Sequence, residues 1–219
     1  MRRIDLVIFD LDGTLVDSAP DIAAALAATL REAGVPAPPL ERVKTMVGDG
    51  ARVLIRRAVG DARATADEEA LFARFMEHYR TGLCVDSRLY PGVSEALDRL
   101  AAGGVPAAVL TNKPGTLARP LLQQLGIAGR LSAIVGDGDG YPRKPDPGAA
   151  RAILANAGVG AAQAAVIGDG LPDVQLARAL GARAVAAGWG YVSPDRLRAE
   201  SPDVVAADPL DAVAAVLDG

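Results

Sequence analysis

Two carboxylates stand two residues apart in Phe9-Asp10-Leu11-Asp12-Gly13-Thr14-Leu15-Val16-Asp17-Ser18, and a glycine and a hydroxyl follow at once. That pattern suits a nucleophile beside an acid/base. One carboxylate attacks phosphorus and forms an aspartyl-phosphate. The other protonates the leaving oxygen and later takes a proton from water. The preceding run, Ile4-Asp5-Leu6-Val7-Ile8, is short and apolar and reads as a buried strand. Strand alternation carried past its end puts Asp10 and Asp12 on one side. Two other readings compete. Asp and Gly also suit a plain strand-ending turn. A calcium loop requires Gly at its sixth position, where this chain has Leu15.

A lone pair of carboxylates needs partners, and the pattern of elements shows where to look. Residues 19–82 read as helical: Pro20 to Ala33 with Gly34 just past its end, Leu40–Val47, Ala51–Val59, and a fourth helix that the capping-box spacing of Thr65-Ala66-Asp67-Glu68 opens and that runs to about Tyr79. From residue 83 on, strands and helices alternate. Strands are expected at Val105–Leu110, Ser132–Val135, Ala164–Ile167, Arg183–Ala187 and Val204–Val205. The fold class is therefore α/β, a parallel Rossmann-like sheet with a helical segment inserted between its first and second strands. The domains expected are a core of residues 1–18 and 83–219 and a cap of residues 19–82.

In an open parallel sheet, ligands bind beyond the carboxyl ends of the strands. Polar clusters fall at those ends: Asp10 and Asp12, then Thr111-Asn112-Lys113-Pro114, then Arg143-Lys144-Pro145-Asp146-Pro147, then Gly168-Asp169-Gly170-Leu171-Pro172-Asp173. Each alone is compatible with a helix cap or a turn; four on one sheet edge make a site.

These motifs, in this order and over almost the whole chain, resemble those of the haloacid-dehalogenase-like phosphatases. Asp17-Ser18-Ala19-Pro20-Asp21-Ile22, Thr111-Asn112-Lys113-Pro114, Pro120-Leu121-Leu122 with Leu125-Gly126-Ile127, and Lys144-Pro145-Asp146-Pro147 are similar to the phosphoglycolate phosphatase branch. The resemblance implies Mg²⁺ held by the Asp10 carboxylate, the Asp12 carbonyl and Asp169, with Asp173 as an outer contact. It implies Asp10 as nucleophile, Asp12 as acid/base, Lys144 as the balancing cation, and Thr111 with the amides about Asn112 and Gly13 on the phosphoryl oxygens. Gly170 stands where the family often has Ser or Thr, which removes a hydroxyl. Gly48-Asp49-Gly50 is similar to the cap loop that reaches the site, with Lys44 and Arg52 as candidates for a substrate carboxylate. Lys113 reads as a solvated or rim charge, and Gly136-Asp137-Gly138-Asp139-Gly140 as a flexible loop.

Phosphoglycolate is the first substrate expected. A sugar-phosphate phosphatase or a β-phosphoglucomutase-like mutase has the same core residues, and a regulatory phosphate-binding module is the non-enzymatic alternative. A dehalogenase needs neither a metal nor an acid/base at Asp12. Net charge is −4 with no basic run, which argues against nucleic acid. No apolar stretch reaches membrane-spanning length. One cysteine, Cys84, and a strand almost at Met1 suit a cytoplasmic protein. Cys84 and the single histidine, His78, read as structural. The partner expected is a small phosphorylated metabolite, with no oligomeric state implied.

Overall fold

The computed structural model describes residues 3–60 and 67–218. The first strand, β1 (Leu6–Phe9), is buried on both faces. Leu6 and Ile8 enter one hydrophobic cluster, Val7 and Phe9 the other. Period-two alternation of an all-apolar strand thus forces cover on both sides. A two-residue strand, β2 (Val16–Asp17), leads into four helices: α1 (Ala19–Glu32), α2 (Leu40–Lys44), α3 (Ala51–Val59) and α4 (Glu68–Thr81). The chain returns through β3 (Arg88–Leu89), antiparallel to β2 with Val16 opposite Leu89 and Asp17 opposite Arg88. This small ribbon was not foreseen, because two residues are too few to show a period.

Then come α5 (Val93–Ala102), β4 (Ala107–Pro114), α6 (Gly115–Gln124), β5 (Ala133–Asp137), α7 (Gly148–Ala157), β6 (Ala164–Gly168), α8 (Leu171–Leu180), β7 (Arg183–Ala187), α9 (Pro194–Ala199), β8 (Val204–Ala206) and α10 (Pro209–Leu217). The sheet order is β5-β4-β1-β6-β7-β8, all parallel. β1 lies at the centre, and the order reverses beside it, which opens a crevice at the carboxyl ends of β1, β4 and β6. Buried residues of α7, α8 and α9 cover one face, those of α5, α6 and α10 the other. The inserted helices share the second cluster, where Leu26, Leu30, Ile55 and Phe75 are almost fully buried.

Thr65 and Ala66 of the expected capping box lie outside the described residues. The cap that is seen is Asp67, whose Oδ1 accepts the Glu69 and Ala70 amides at 3.0 and 3.2 Å. The return from the insertion is fixed by Asp21, in the first turn of α1. Its buried carboxylate accepts the amides of Val85, Asp86 and Ser87 at 3.0, 3.0 and 2.8 Å and the Ser87 hydroxyl at 2.6 Å. Entry and exit of the insertion are thereby tied together.

Asp21→Ala leaves those donors without an acceptor, and Ser87 is fully buried. The expected loss is about 2–3 kcal/mol of unfolding free energy, from the cost of unsatisfied buried polar groups. Denaturant titration checks it; a loss below about 0.5 kcal/mol, the level of an ordinary surface substitution, contradicts this account of the clamp.

Candidate active site

β1 ends at Phe9, one residue before Asp10. Asp12 lies inside a tight turn in which the amides of Thr14, Leu15 and Val16 donate to the Leu11 carbonyl. Asp10 and Asp12 do line one cleft, but a turn places them there, not continued strand alternation. Gly13 makes the turn with φ +84°, and a Cβ on it would overlap the Asp169 carboxylate. Its amide donates to the Val16 carbonyl at 2.8 Å, so it is not free to bind phosphate as expected. Gly13 provides clearance.

Lys144 is the positive centre. Its Nζ lies 2.7 Å from Asp10 Oδ1 and 2.7 Å from Asp173 Oδ1, and all three side chains are almost wholly buried. The Asp10 contact is a charge contact without hydrogen-bond alignment, which leaves Asp10 Oδ1 buried with no hydrogen-bond partner. Asp169 accepts from Tyr191 N at 2.7 Å on one oxygen and from Thr14 Oγ1 at 3.3 Å on the other. The Thr14 hydroxyl also accepts the Asp169 amide at 3.0 Å. Asp173 accepts the Gly170 amide at 3.0 Å. A Cβ on Gly170 would lie 3.2 Å from that carboxylate, so a side chain there would crowd Asp173.

Asp10, Asp169 and Asp173 each present a carboxylate oxygen, all within 4.8 Å of one another. Three buried acids against one ammonium make a place that fits a divalent cation with oxygen ligands. The electrostatics agree. Burial, opposed by Lys144 and aided by Asp173, pushes Asp10 up to about 6. Burial and the Asp10 charge carry Asp169 well above the usual carboxylate range. Burial alone would lower Lys144, but the charges of Asp10 and Asp173 outweigh it and hold the ammonium above its ordinary value.

Thr111, Asn112 and Lys113 extend from β4. The Thr111 hydroxyl accepts the Lys113 amide at 3.1 Å. The Asn112 carboxamide is already engaged: it donates to Gly48 O at 2.9 Å and Lys144 O at 3.3 Å, and accepts Lys144 N at 2.8 Å. It therefore positions Lys144 and the insertion loop. Lys113, read above as a solvated or rim charge, is in fact buried. Its Nζ donates to both Asp12 oxygens, at 2.9 and 3.2 Å, and to the Tyr79 hydroxyl, and lies 4.3 Å from the centre of that ring. The Ser18 hydroxyl also donates to Asp12, at 2.5 Å.

Gly48 and Gly50 line the cleft, but the Asp49 carboxylate turns away to Arg57 and its carbonyl accepts from Arg143 at 3.1 Å. Lys44 pairs with Glu41 at 2.9 Å, and Arg52 pairs with Glu69 over the Phe72 ring. Neither lines the cleft, which corrects their expected part in reading a substrate carboxylate. The Gly136–Gly140 loop is pinned, not loose: Asp139 takes two Arg119 hydrogen bonds at 2.7 and 2.8 Å and the Gly136 amide at 2.8 Å. His78 pairs with Glu32 at 3.0 Å, as a structural residue.

Sequence reasoning missed the loop after β7. Trp189 donates to Thr14 O at 3.0 Å. The Tyr191 hydroxyl accepts the Ser18 and Ala19 amides, both at 2.9 Å, at the start of α1 and donates to Asp17 at 2.9 Å. A Cβ on Gly190 would overlap Asp169. Gly188-Trp189-Gly190-Tyr191, holding the only tryptophan, stands just past a strand's carboxyl end, and that position was the available signal.

Two carboxylates, an ammonium and a cluster of three buried acids at the switch point of a parallel sheet suit the hydrolysis of phosphoric monoesters. The comparisons agree. A family model described as haloacid dehalogenase-like hydrolase matches residues 4–181, and the chain belongs to that family. It is 43% identical to a phosphoglycolate phosphatase of Pseudomonas putida, over 98% of this chain and 79% of that one. It is 34% identical to an N-acetylmuramic acid 6-phosphate phosphatase of the same species, over 95% and 94%. The crystal structure of a predicted phosphoglycolate phosphatase from Haemophilus somnus superimposes with a TM-score of 0.90 at 32% identity, over 96% of this chain and 97% of that one.

Lys144 has no spare room between two carboxylates. Lys144→Arg puts a planar fork where a compact charge sits, and kcat on an aryl phosphate should fall about a hundredfold or more. Near-wild-type kcat moves Lys144 out of contact with the reacting group. A second expectation concerns pH. Asp10 and Asp169 keep protons in the fold above the ordinary carboxylate range. A cation must displace those protons, so it binds more tightly as pH rises through about 6. The Tm increase given by a fixed Mg²⁺ concentration should therefore be larger at about pH 8 than at about pH 5. An equal or opposite shift contradicts the acidic cage.

Proposed function

We propose that the chain is a Mg²⁺-dependent phosphatase of small phosphate monoesters, with 2-phosphoglycolate as the preferred substrate. The observation that carries this reading is the buried Asp10 carboxylate, with Oδ1 2.7 Å from the Lys144 ammonium and in the same cleft as Asp12. Residues 1–18 and 83–219 form the catalytic core, and residues 19–82 form the cap that selects the substrate.

In this mechanism Asp10 attacks phosphorus in line and forms an aspartyl-phosphate. The Asp12 carboxyl protonates the departing oxygen; as a carboxylate it then takes a proton from the water that hydrolyses the intermediate. Thr111 and the amides around Asn112 hold phosphoryl oxygens, and Lys144 balances their charge. Asp10, the Asp12 carbonyl and Asp169 would hold Mg²⁺, with Asp173 outside them; the cation supplies charge that offsets repulsion between carboxylate and phosphate. Ser18 and Lys113 orient Asp12. A cytoplasmic location fits the single free cysteine. Among the described residues no helix is long and apolar enough to cross a membrane.

A sugar-phosphate substrate is the second reading, supported by the relative named for N-acetylmuramic acid 6-phosphate. Both that compound and phosphoglycolate carry a carboxyl group besides the phosphate. A panel of phosphorylated metabolites, ranked by kcat/KM, separates the two readings.

Asp12→Asn tests the mechanism. It keeps the shape but neither gives nor takes the proton, so kcat on alkyl phosphates should fall roughly 10²–10⁴-fold. An aryl phosphate needs little acid in the first step but still needs the base in the second. Rapid mixing should then show a burst of aryl alcohol, and intact mass after acid quench should show phosphate on the protein. The variant lacking Asp10 as well should show neither. Wild-type steady turnover of aryl phosphate by Asp12→Asn overturns the assignment.

A further inference from the structure

A phosphate monoester that carries a second anionic group needs a second positive charge in its binding cleft. The two cations of the insertion that sequence position suggests, Lys44 and Arg52, are paired with Glu41 and Glu69 away from the cleft. Among the described residues that line the cleft, only Lys113 carries a positive charge, and it stands at the seam between sheet and insertion. Much of the remaining wall is apolar, with Ile22, Val47, Leu54 and Phe75 among its side chains.

We propose that Lys113 reads the second anionic group of the substrate, a carboxylate in the case of phosphoglycolate. This rests on the phosphatase reading above, and adds which residue selects for charge. An ammonium has three N–H donors. In the structure Lys113 spends them on a single carboxylate, Asp12, through both of its oxygens, and on the Tyr79 hydroxyl. One donor suffices to hold Asp12, so an incoming carboxylate oxygen replaces one of the two Asp12 contacts without stranding either partner. Asp10 and Lys113 line the same cleft, so a substrate with its phosphoryl group at Asp10 shares that cleft with the Lys113 ammonium. The side chain is 2% exposed and lies against the Tyr79 ring. Its charge therefore acts in surroundings that screen little, where a charged partner is favoured over a neutral one. Tyr79 comes from α4 and Lys113 from β4, so the reader is assembled only when insertion and sheet meet.

The test compares phosphoglycolate with 2-hydroxyethyl phosphate, in which a neutral CH₂OH replaces the carboxylate. Wild type should prefer phosphoglycolate by about tenfold or more in kcat/KM, the scale of one charge-assisted hydrogen bond. Lys113→Met should bring that ratio close to one. A wild type without the preference, or a variant in which both substrates lose activity in step, overturns the proposal; in the second case Lys113 acts only through Asp12. Calorimetry of wild type with 3-phosphonopropionate and with propylphosphonate gives an answer that needs neither the variant nor turnover. The carboxylate analogue should bind about tenfold or more tightly, and equal affinity sinks the proposal. If wild type binds the pair unequally but hydrolyses neither ester with Mg²⁺ present, the phosphatase reading fails while the charge reader stands.

Discussion

Three carboxylates and one ammonium share a volume almost closed to solvent. Lys144 touches Asp10 and Asp173, and Asp169 stands beside them. Ionised groups in such a place are costly unless each is paired or hydrogen-bonded. The surrounding structure answers that demand. Thr14 and the Tyr191 amide satisfy Asp169, the Gly170 amide satisfies Asp173, and Asn112 fixes the Lys144 backbone on both its N–H and its C=O. Gly13, Gly168 and Gly190 are needed because a Cβ at any of them would intrude on Asp169 or Asp173. Negative charge still exceeds positive. Burial raises Asp10 and Asp169 above the ordinary carboxylate range, and a divalent cation held there would favour their ionised forms.

The sheet was legible because β-branched and apolar runs of four or five residues alternate with amphipathic helices, a pattern with one economical topology. The cluster was legible because Asp10 and Asp169 follow strands directly and Lys144 lies in the loop between β5 and α7, on the edge where that topology collects them. Asp10 and Asp12 were rightly paired for the wrong reason; the Leu11 carbonyl turn, a backbone event, has no side-chain period to betray it. Lys113 was misread because a lysine's burial depends on partners distant in sequence, here Asp12 and Tyr79. Tyr191 was missed for a related cause. It supplies the cap of α1 that Ser18 would ordinarily give, while the Ser18 hydroxyl turns to Asp12. The exchange joins residues more than 170 positions apart, and only the third dimension shows it.

Asn112 joins two levels of the structure. The same carboxamide that holds Lys144 also donates to Gly48 O in the insertion. Lys144 and the insertion loop are thus joined through one side chain. Lys113 and Tyr79 repeat the arrangement a few ångströms away, so the cleft is shaped by contacts that neither the sheet nor the helices possess alone.

The insertion leaves and rejoins the sheet through paired strands, Val16 opposite Leu89 and Asp17 opposite Arg88, with Asp21 binding the returning strand's approach. Seen from the sheet, some seventy residues between those strands behave as the loop of a β-hairpin. The entropy of closing a loop grows only with the logarithm of its length. In closure entropy the sheet is therefore almost indifferent to how many residues hang from that ribbon. Lengthening, shortening or exchanging the helices costs the core little as long as the replacement still covers the apolar cluster that insertion and sheet share, so one ribbon can carry different lids.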